Sequence, residues 1–319
     1  MSVSLIVIAS MLSFIVIAYF IHDTLGQITS FSNQIGNEGN LPNSTTEVRH
    51  GTNKFIVLNF DDSYKSQFTY AKPILDKYGF KATFFLVCDW IGSDSEDDKK
   101  MTWSDIAKLR AEGHDIEAHT MTHPHLNKLS SSELEYEISQ SKQCLLGHGI
   151  NSTIFAYPYG EGWDNPNVFG VVSKYYDLAR SNSETPLTFL NDNNISDVHV
   201  FSKSPDNNMF VNRYAINSWN HRHIEGDYSP SERECEGSCI YYNSSQMLQK
   251  FIEIVDSQDR YNTNGKIRAI PIIVYHTIVN YPDLSDSTRP VDATVDLFEK
   301  EMKYLYDNNY NVLLMSDLT

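Results

Sequence analysis

Basic side chains are scarce in this sequence: 25 Lys and Arg stand against 41 Asp and Glu, a formal net charge of −16 over 319 residues. Recognition of a phosphate backbone needs clustered cations, so the composition argues against nucleic acid as a partner. No Lys or Arg occurs before Arg49, which leaves the positive-inside rule little to act on. No glycine-rich phosphate fingerprint follows the first buried-type strand, and no repeat of fixed period is present. Cysteine is limited to four residues. Cys235 and Cys239 lie in a polar loop, where an exported chain would form a local disulfide; a structural metal site with His221 and His223 is the alternative. Cys88 and Cys144 sit in apolar settings and read as buried thiols.

What the amino terminus does contain is a nearly continuous apolar run from Val3 to Ile21. Its length suits a bilayer core of ~30 Å and exceeds the hydrophobic region usual in a cleaved signal. The expected organisation is a transmembrane anchor over 1–22, with a cleaved signal as alternative, then a flexible Asn/Ser/Thr/Gly-rich linker over 23–53, then a folded domain over 54–319 outside the cell. Four Asn-X-Ser/Thr sequons, at Asn43, Asn151, Asn194 and Asn243, are compatible with export and common by chance.

From Lys54 onward short apolar runs alternate with amphipathic stretches. Strands are expected at 55–60, 82–87, 114–118, 153–157, 177–179, 269–275 and 311–314. Helices are expected at 64–78 (bent or split at Pro73), 103–112, 130–146, 167–176, 245–255 and 295–306. Such alternation implies a mainly parallel sheet, and the length is near the ~250 residues typical of an α/β barrel. An open doubly wound sheet is the alternative. Residues 181–210 are polar and poorly patterned, and about 181–265 reads as an insertion.

Chemistry gathers where strands end. The run Phe55–Phe60 stops at two adjacent carboxylates, Asp61 and Asp62. Alone the pair would be a turn or helix cap; on an extended chain neighbouring side chains point apart, so one can meet a cation and the other a substrate. His119-Thr120-Met121-Thr122-His123 also follows a strand. Imidazoles four apart share one face of a helical turn, and two of them with one carboxylate leave an open position, as in hydrolytic zinc sites. A lone pair of this kind is more often satisfied core or surface histidine. Tyr157-Pro158-Tyr159-Gly160 and His276 stand at two further strand ends. Trp163 and Trp219 suit either sugar stacking or core packing.

Asn59-Phe60-Asp61-Asp62, His119-Thr120-Met121-Thr122-His123, Phe155-Ala156-Tyr157-Pro158-Tyr159-Gly160 and Val274-Tyr275-His276 occur in an order that resembles the polysaccharide deacetylase family (NodB homology, carbohydrate esterase family 4). The resemblance implies a distorted (β/α) barrel and a divalent metal, most often zinc. It also implies removal of acetyl groups from an N-acetylhexosamine polysaccharide, or of O-acetyl groups from a xylan-type one. Carried over by position, Asp62, His119 and His123 would hold the metal, Asp61 would be the general base, Tyr159 would present its backbone N–H to the oxyanion, and His276 would be the general acid. Many family members hold the base with an arginine in the third motif. Ala156 stands near that place here, with Arg213 a candidate substitute, and no partner for His276 is evident. The missing arginine keeps open a silent, glycan-binding role.

Overall fold

Every residue of β1 (Phe55–Phe60) is buried. A parallel strand covered on both faces needs no polar alternation, which is why this run is apolar at every position but Asn59. The computed structural model describes residues 53–319 apart from 96–97, 183–185, 191–200, 204–208, 212, 226–227, 230–233, 236–238 and 285–291. The expected anchor at 1–22, all but the last residue of the expected linker, and the sequons at Asn43 and Asn194 lie outside the described residues. Among the described residues no helix is long and apolar enough to cross a membrane.

The remaining strands of the main sheet are β2 (Thr83–Leu86), β3 (Asp115–Ala118), β4 (Ile154–Ala156), β5 (Leu178–Arg180), β6 (Leu187–Phe189), β7 (Trp219–Asn220), β8 (Ala269–Tyr275) and β9 (Asn311–Leu313). Their spatial order is β7-β8-β1-β2-β3-β4-β5, and every pairing along that path is parallel. One edge of β1 serves two partners in succession: β9 lies along residues 55–57 and β2 along residues 59–60. β6 runs antiparallel along the start of β8. The sheet curls until its ends meet through one stretch of chain. Ile216 bridges Arg180 of β5, and three residues on, Trp219 pairs with Ile273 of β8. Residues 181–265, expected as an insertion, therefore contribute β6 and β7 to the sheet.

Period-two alternation sorts each strand into two faces. Ile56, Leu58 and Phe60 join the larger core beneath the helices. Phe55 and Val57 join a smaller core inside the curl, with Phe85, Ile154, Ala156, Leu178, Ile270 and Ile272. Continuing the inward parity past each strand gives Asp61 after Asn59, His119 after Glu117, and His276 after Val274, while Arg180 follows Leu178 within β5. One parity thus delivers four polar side chains to one mouth.

The helices follow their local signals. α1 (Lys72–Tyr78) carries Pro73 in its first turn, where the missing N–H is no loss. A π-helical turn, Gln67–Ala71, precedes it, and Gly79 at φ 70° closes it. The stretch expected as a helix over 64–78 is helical from residue 65 to 78 and is not broken at Pro73; the π-helical turn ends two residues before the proline. α2 (Trp103–Ala111) and α3 (Ser131–Gly147) both open with capping boxes, at Thr102/Asp105 and Ser130/Glu133. α4 (Pro166–Tyr175), α5 (Ser244–Asp256) and α6 (Val295–Asp307) complete the set. Trp163 and Trp219 both pack against the core.

The cysteines correct the sequence reading. Cys88 and Cys144 are not thiols but a disulfide joining positions 56 residues apart. Their apolar setting was visible in sequence; their proximity, set by the 3-10 turn Cys88–Trp90 after β2 meeting α3, was not. Cys239 is also disulfide-bonded, so its sulfur is no thiolate ligand. His221 is engaged elsewhere, with Nε2 2.6 Å from Glu301 Oε1 in a pair with no exposure. Both facts count against the alternative metal site.

Candidate metal centre and active site

Asp62, His119 and His123 each offer one ligand atom, and these atoms lie within 4.8 Å of one another. His119 Nε2 is 3.5 Å and His123 Nε2 3.4 Å from the same oxygen, Asp62 Oδ1. The His119 ring is oriented by Nδ1–H donating to the Ala156 carbonyl at 2.8 Å, which turns the Nε2 lone pair toward Asp62. Burial lowers the His119 pKa. Burial, aided by neighbouring His119, pulls His123 down to about 4. Both rings are therefore neutral near pH 7. Asp62 remains a carboxylate: burial works against its charge, but cationic neighbours, His276 first and Lys100 as well, outweigh that and lower its pKa.

Neutral imidazole lone pairs facing a carboxylate oxygen leave three acceptors with no proton among them. Asp62 Oδ1 is buried and has no hydrogen-bond partner among the described residues. A divalent cation resolves that conflict, and two nitrogens with one carboxylate oxygen suit zinc with a position left open. The donor set fits such an ion; it does not by itself fix which ion.

The imidazoles do not converge by helical spacing. His119 to His123 is a loop, shaped by left-handed backbone at Thr120 (φ 68°) and His123 (φ 61°). Asp62, Ser63 and Tyr159 also have positive φ; the other two non-glycine cases among the described residues are Asn264 and Asn309. Such conformations cost roughly 1–3 kcal/mol each outside glycine and persist where the surroundings over-determine them. Asparagine tolerates them, so strain in less tolerant residue types gathers at this mouth.

Asp61 is 3% exposed. Its Oδ2 accepts from Arg180 Nη2 at 2.5 Å, while its Oδ1 has no partner among the described residues. Arg180, 1% exposed, also donates through Nη1 to Ser218 Oγ at 3.1 Å and Asn182 Oδ1 at 3.2 Å. This is the arginine that seemed missing. Arg180 is the ladder partner of Ala156, so the guanidinium reaches Asp61 from the strand beside the third motif. Arg213, the expected substitute, is exposed. The sequence reading ended its strand at Ala179, one residue short of the functional side chain. The signal available was a lone arginine closing an apolar run.

His276 has its partner too. Nδ1 lies 3.1 Å from Asp292 Oδ2, and that oxygen also accepts from the backbone N–H groups of His276 and Thr277. Burial opposes a charged ring, yet Asp292, reinforced by Asp62 and Asp61, pushes the His276 pKa up to about 9. Asp292 lies 16 positions from His276, next to the undescribed 285–291, where no periodicity marks it. Gln67 spans the two strand ends, its Nε2 donating to Asp61 O at 2.5 Å and His276 O at 2.9 Å.

Tyr159 (φ 59°) lies in a short 3-10 turn, and its N–H makes no backbone hydrogen bond among the described residues. Its ring, 48% exposed, stacks on His125 at 4.0 Å and meets His123 edge-on at 4.6 Å. Gly160 follows at φ 70°, where a Cβ would lie 2.7 Å from Asn182 Cβ; only glycine lets this turn sit against the residue that Arg180 uses.

The fold and site together define an α/β protein with a candidate metal centre at the carboxyl ends of its strands. Residues 49–175 match the family model described as polysaccharide deacetylase. It is 32% identical over 117 residues to YxkH of Bacillus subtilis (strain 168), provisionally named a polysaccharide deacetylase, covering 36% of this chain and 40% of that one. It is 32% identical over 114 residues to a peptidoglycan-N-acetylglucosamine deacetylase of Bacillus cereus, covering 34% and 38%. The chain thus spans well under half the length of these relatives. Among solved structures, a family 4 carbohydrate esterase from Streptomyces lividans aligns with TM-score 0.47 at 16% identity, over 84% of this chain and 95% of that one; nothing here turns on that weak likeness. Asp61, Asp62, His119, His123 and Tyr159 fall inside the matched stretch; Arg180, His276 and Asp292 fall beyond it.

Proposed function

We propose that this protein is a metal-dependent deacetylase that removes N-acetyl groups from an extracellular N-acetylhexosamine polymer. The observation that carries the reading is the convergence of two neutral imidazoles on Asp62, beside a second buried carboxylate held by Arg180. Asp62, His119 and His123 hold the cation. When bound, such an ion polarises a carbonyl and lowers the pKa of a water it holds to about 7. Asp61 receives the proton of the attacking water at Oδ1, the oxygen that Arg180 leaves free. The Tyr159 N–H donates to the acyl oxygen as it gains charge. His276, anchored at Nδ1 by Asp292, gives the proton on Nε2 to the departing nitrogen.

An amine leaves poorly as an anion, so a protonated His276 favours amide over ester cleavage. A catalytically silent glycan-binding barrel is the second reading. Its motive was an unheld base, and the Arg180–Asp61 pair supplies the hold. The name of the Bacillus cereus relative supports a peptidoglycan-like substrate. Placement outside the cell, held by the apolar segment at residues 3–21, is supported by the Cys88–Cys144 disulfide, since disulfides persist in oxidising compartments.

The test is acetate release from N-acetylglucosamine oligomers by purified protein with added zinc. His119→Ala should lose both zinc and activity; His276→Ala should keep zinc and lose turnover. If His119→Ala bound zinc like the parent, the ligand assignment would fail. Glycan binding without acetate release would favour the silent reading.

A further inference from the structure

The His119–His123 loop has no regular secondary structure to hold its left-handed residues. It is held from outside, by α3. Glu137, 6% exposed, reaches from the second turn of that helix into the loop. Its Oε2 accepts from Met121 N at 3.0 Å and Thr122 N at 2.9 Å, and its Oε1 from Thr122 Oγ1 at 2.7 Å. The two amides lie between the histidines, where the chain reverses direction. Within the loop, His123 N donates to Thr120 Oγ1 at 2.9 Å. The other side of the loop is paired with the segment after β2: Cys88 N donates to Thr120 O at 3.2 Å and Asp89 N to Met121 O at 2.9 Å. Cys88 is itself tied back to α3 through Cys144. The ligand loop is therefore gripped between Glu137 and a segment bonded covalently to the same helix.

We propose that Glu137 is a positioning residue for the metal centre: its carboxylate holds the loop in the one shape that turns both imidazole Nε2 atoms onto Asp62. This deepens the reading of Asp62, His119 and His123 as metal ligands and rests on it. Glu137 touches neither cation nor substrate. Its work is to satisfy two amides that would otherwise favour other loop conformations, in which the histidines part. Supports of this kind are worth about 10–100-fold in metal affinity.

The test measures zinc affinity by competition with a chromophoric chelator for the full chain and for Glu137→Ala, Glu137→Asp and Glu137→Gln. Thermal melting of the metal-free proteins reports on folding separately. Glu137→Ala should bind zinc about 10–100-fold more weakly. Glu137→Asp keeps the charge but is one methylene too short, and should lose affinity as well; it carries the test if the alanine variant fails to fold. Glu137→Gln should stay close to the parent, because one amide oxygen can accept both N–H groups while the amide nitrogen donates to the Thr122 hydroxyl. Parental affinity in a folded Glu137→Ala or Glu137→Asp overturns the proposal, as does a Glu137→Gln loss as large as that of alanine, which would make charge the cause. If the parent binds no zinc, the ligand assignment falls first and the proposal with it. If the parent binds, His119→Ala does not and Glu137→Ala binds normally, only the proposal falls.

Discussion

Replacing Arg180 by methionine keeps most of the side-chain volume and removes the charge. Asp61 would then keep a buried carboxylate with neither counter-ion nor donor on Oδ2, since its exposure is 3% and that of Arg180 is 1%. Removing one partner of a buried ion pair costs about 3–5 kcal/mol. At about 2–4 °C per kcal/mol for a domain approaching this size, the melting temperature should fall by roughly 6–20 °C. Ser218 Oγ and Asn182 Oδ1 also lose a donor, which places the effect toward the upper end. Turnover should fall by about 100-fold or more, because proton transfer by a positioned base is worth that much. Arg180→Lys should fall between parent and Arg180→Met: a lysine can offer one charge to Asp61 but cannot reach Asp61, Asn182 and Ser218 together from a planar fork. Calorimetry and acetate release on the same samples check both numbers. An Arg180→Met protein with parental melting temperature and parental turnover would refute the claim that this pair supports the base.

Further outcomes follow from named contacts. With the His276 pKa raised to about 9, the acid stays protonated through neutral pH, so activity should hold until the pH approaches that value and then decline. Asp292→Asn should move the decline to lower pH, and kcat/KM from pH 6 to 10 would show a limb that stays put if Asp292 is not the cause. The same shift bears on stability: the folded value lies above the ordinary ~6.5, so the contribution is complete below pH 6.5 and is lost as pH rises through about 9. The Cys88–Cys144 bridge spans 56 residues, for which chain entropy gives about 4 kcal/mol. Reduction should lower the urea midpoint accordingly, and an unchanged midpoint under full reduction would contradict it.

Much of the scaffold was legible because each strand ends abruptly. Phe55–Phe60 is apolar but for Asn59 and Ala269–Tyr275 almost wholly apolar, and glycines and serine caps mark the helix limits. The same abrupt ends exposed Asp61, Asp62, His119 and His276. What stayed hidden depends on neighbours across the sheet. Arg180 acquires meaning only as the ladder partner of Ala156, and a strand end misjudged by one residue removed it from view. Asp292 and Glu137 act at distances of 16 and 15 positions or so along the chain, too far for local pattern and too near to suggest a separate element. The histidine spacing pointed to the right pair of rings for the wrong reason: a strained loop, not a helix face, brings them together.

The amide of Gln67 has a consequence of its own. Because one side chain is fastened to the carbonyls of both residue 61 and residue 276, the two strand tips form a rigid jaw of set width. On the proposed function, a substrate must fit between strand tips tied together at residues 61 and 276, and choice among polymers would fall to side chains outside that tie.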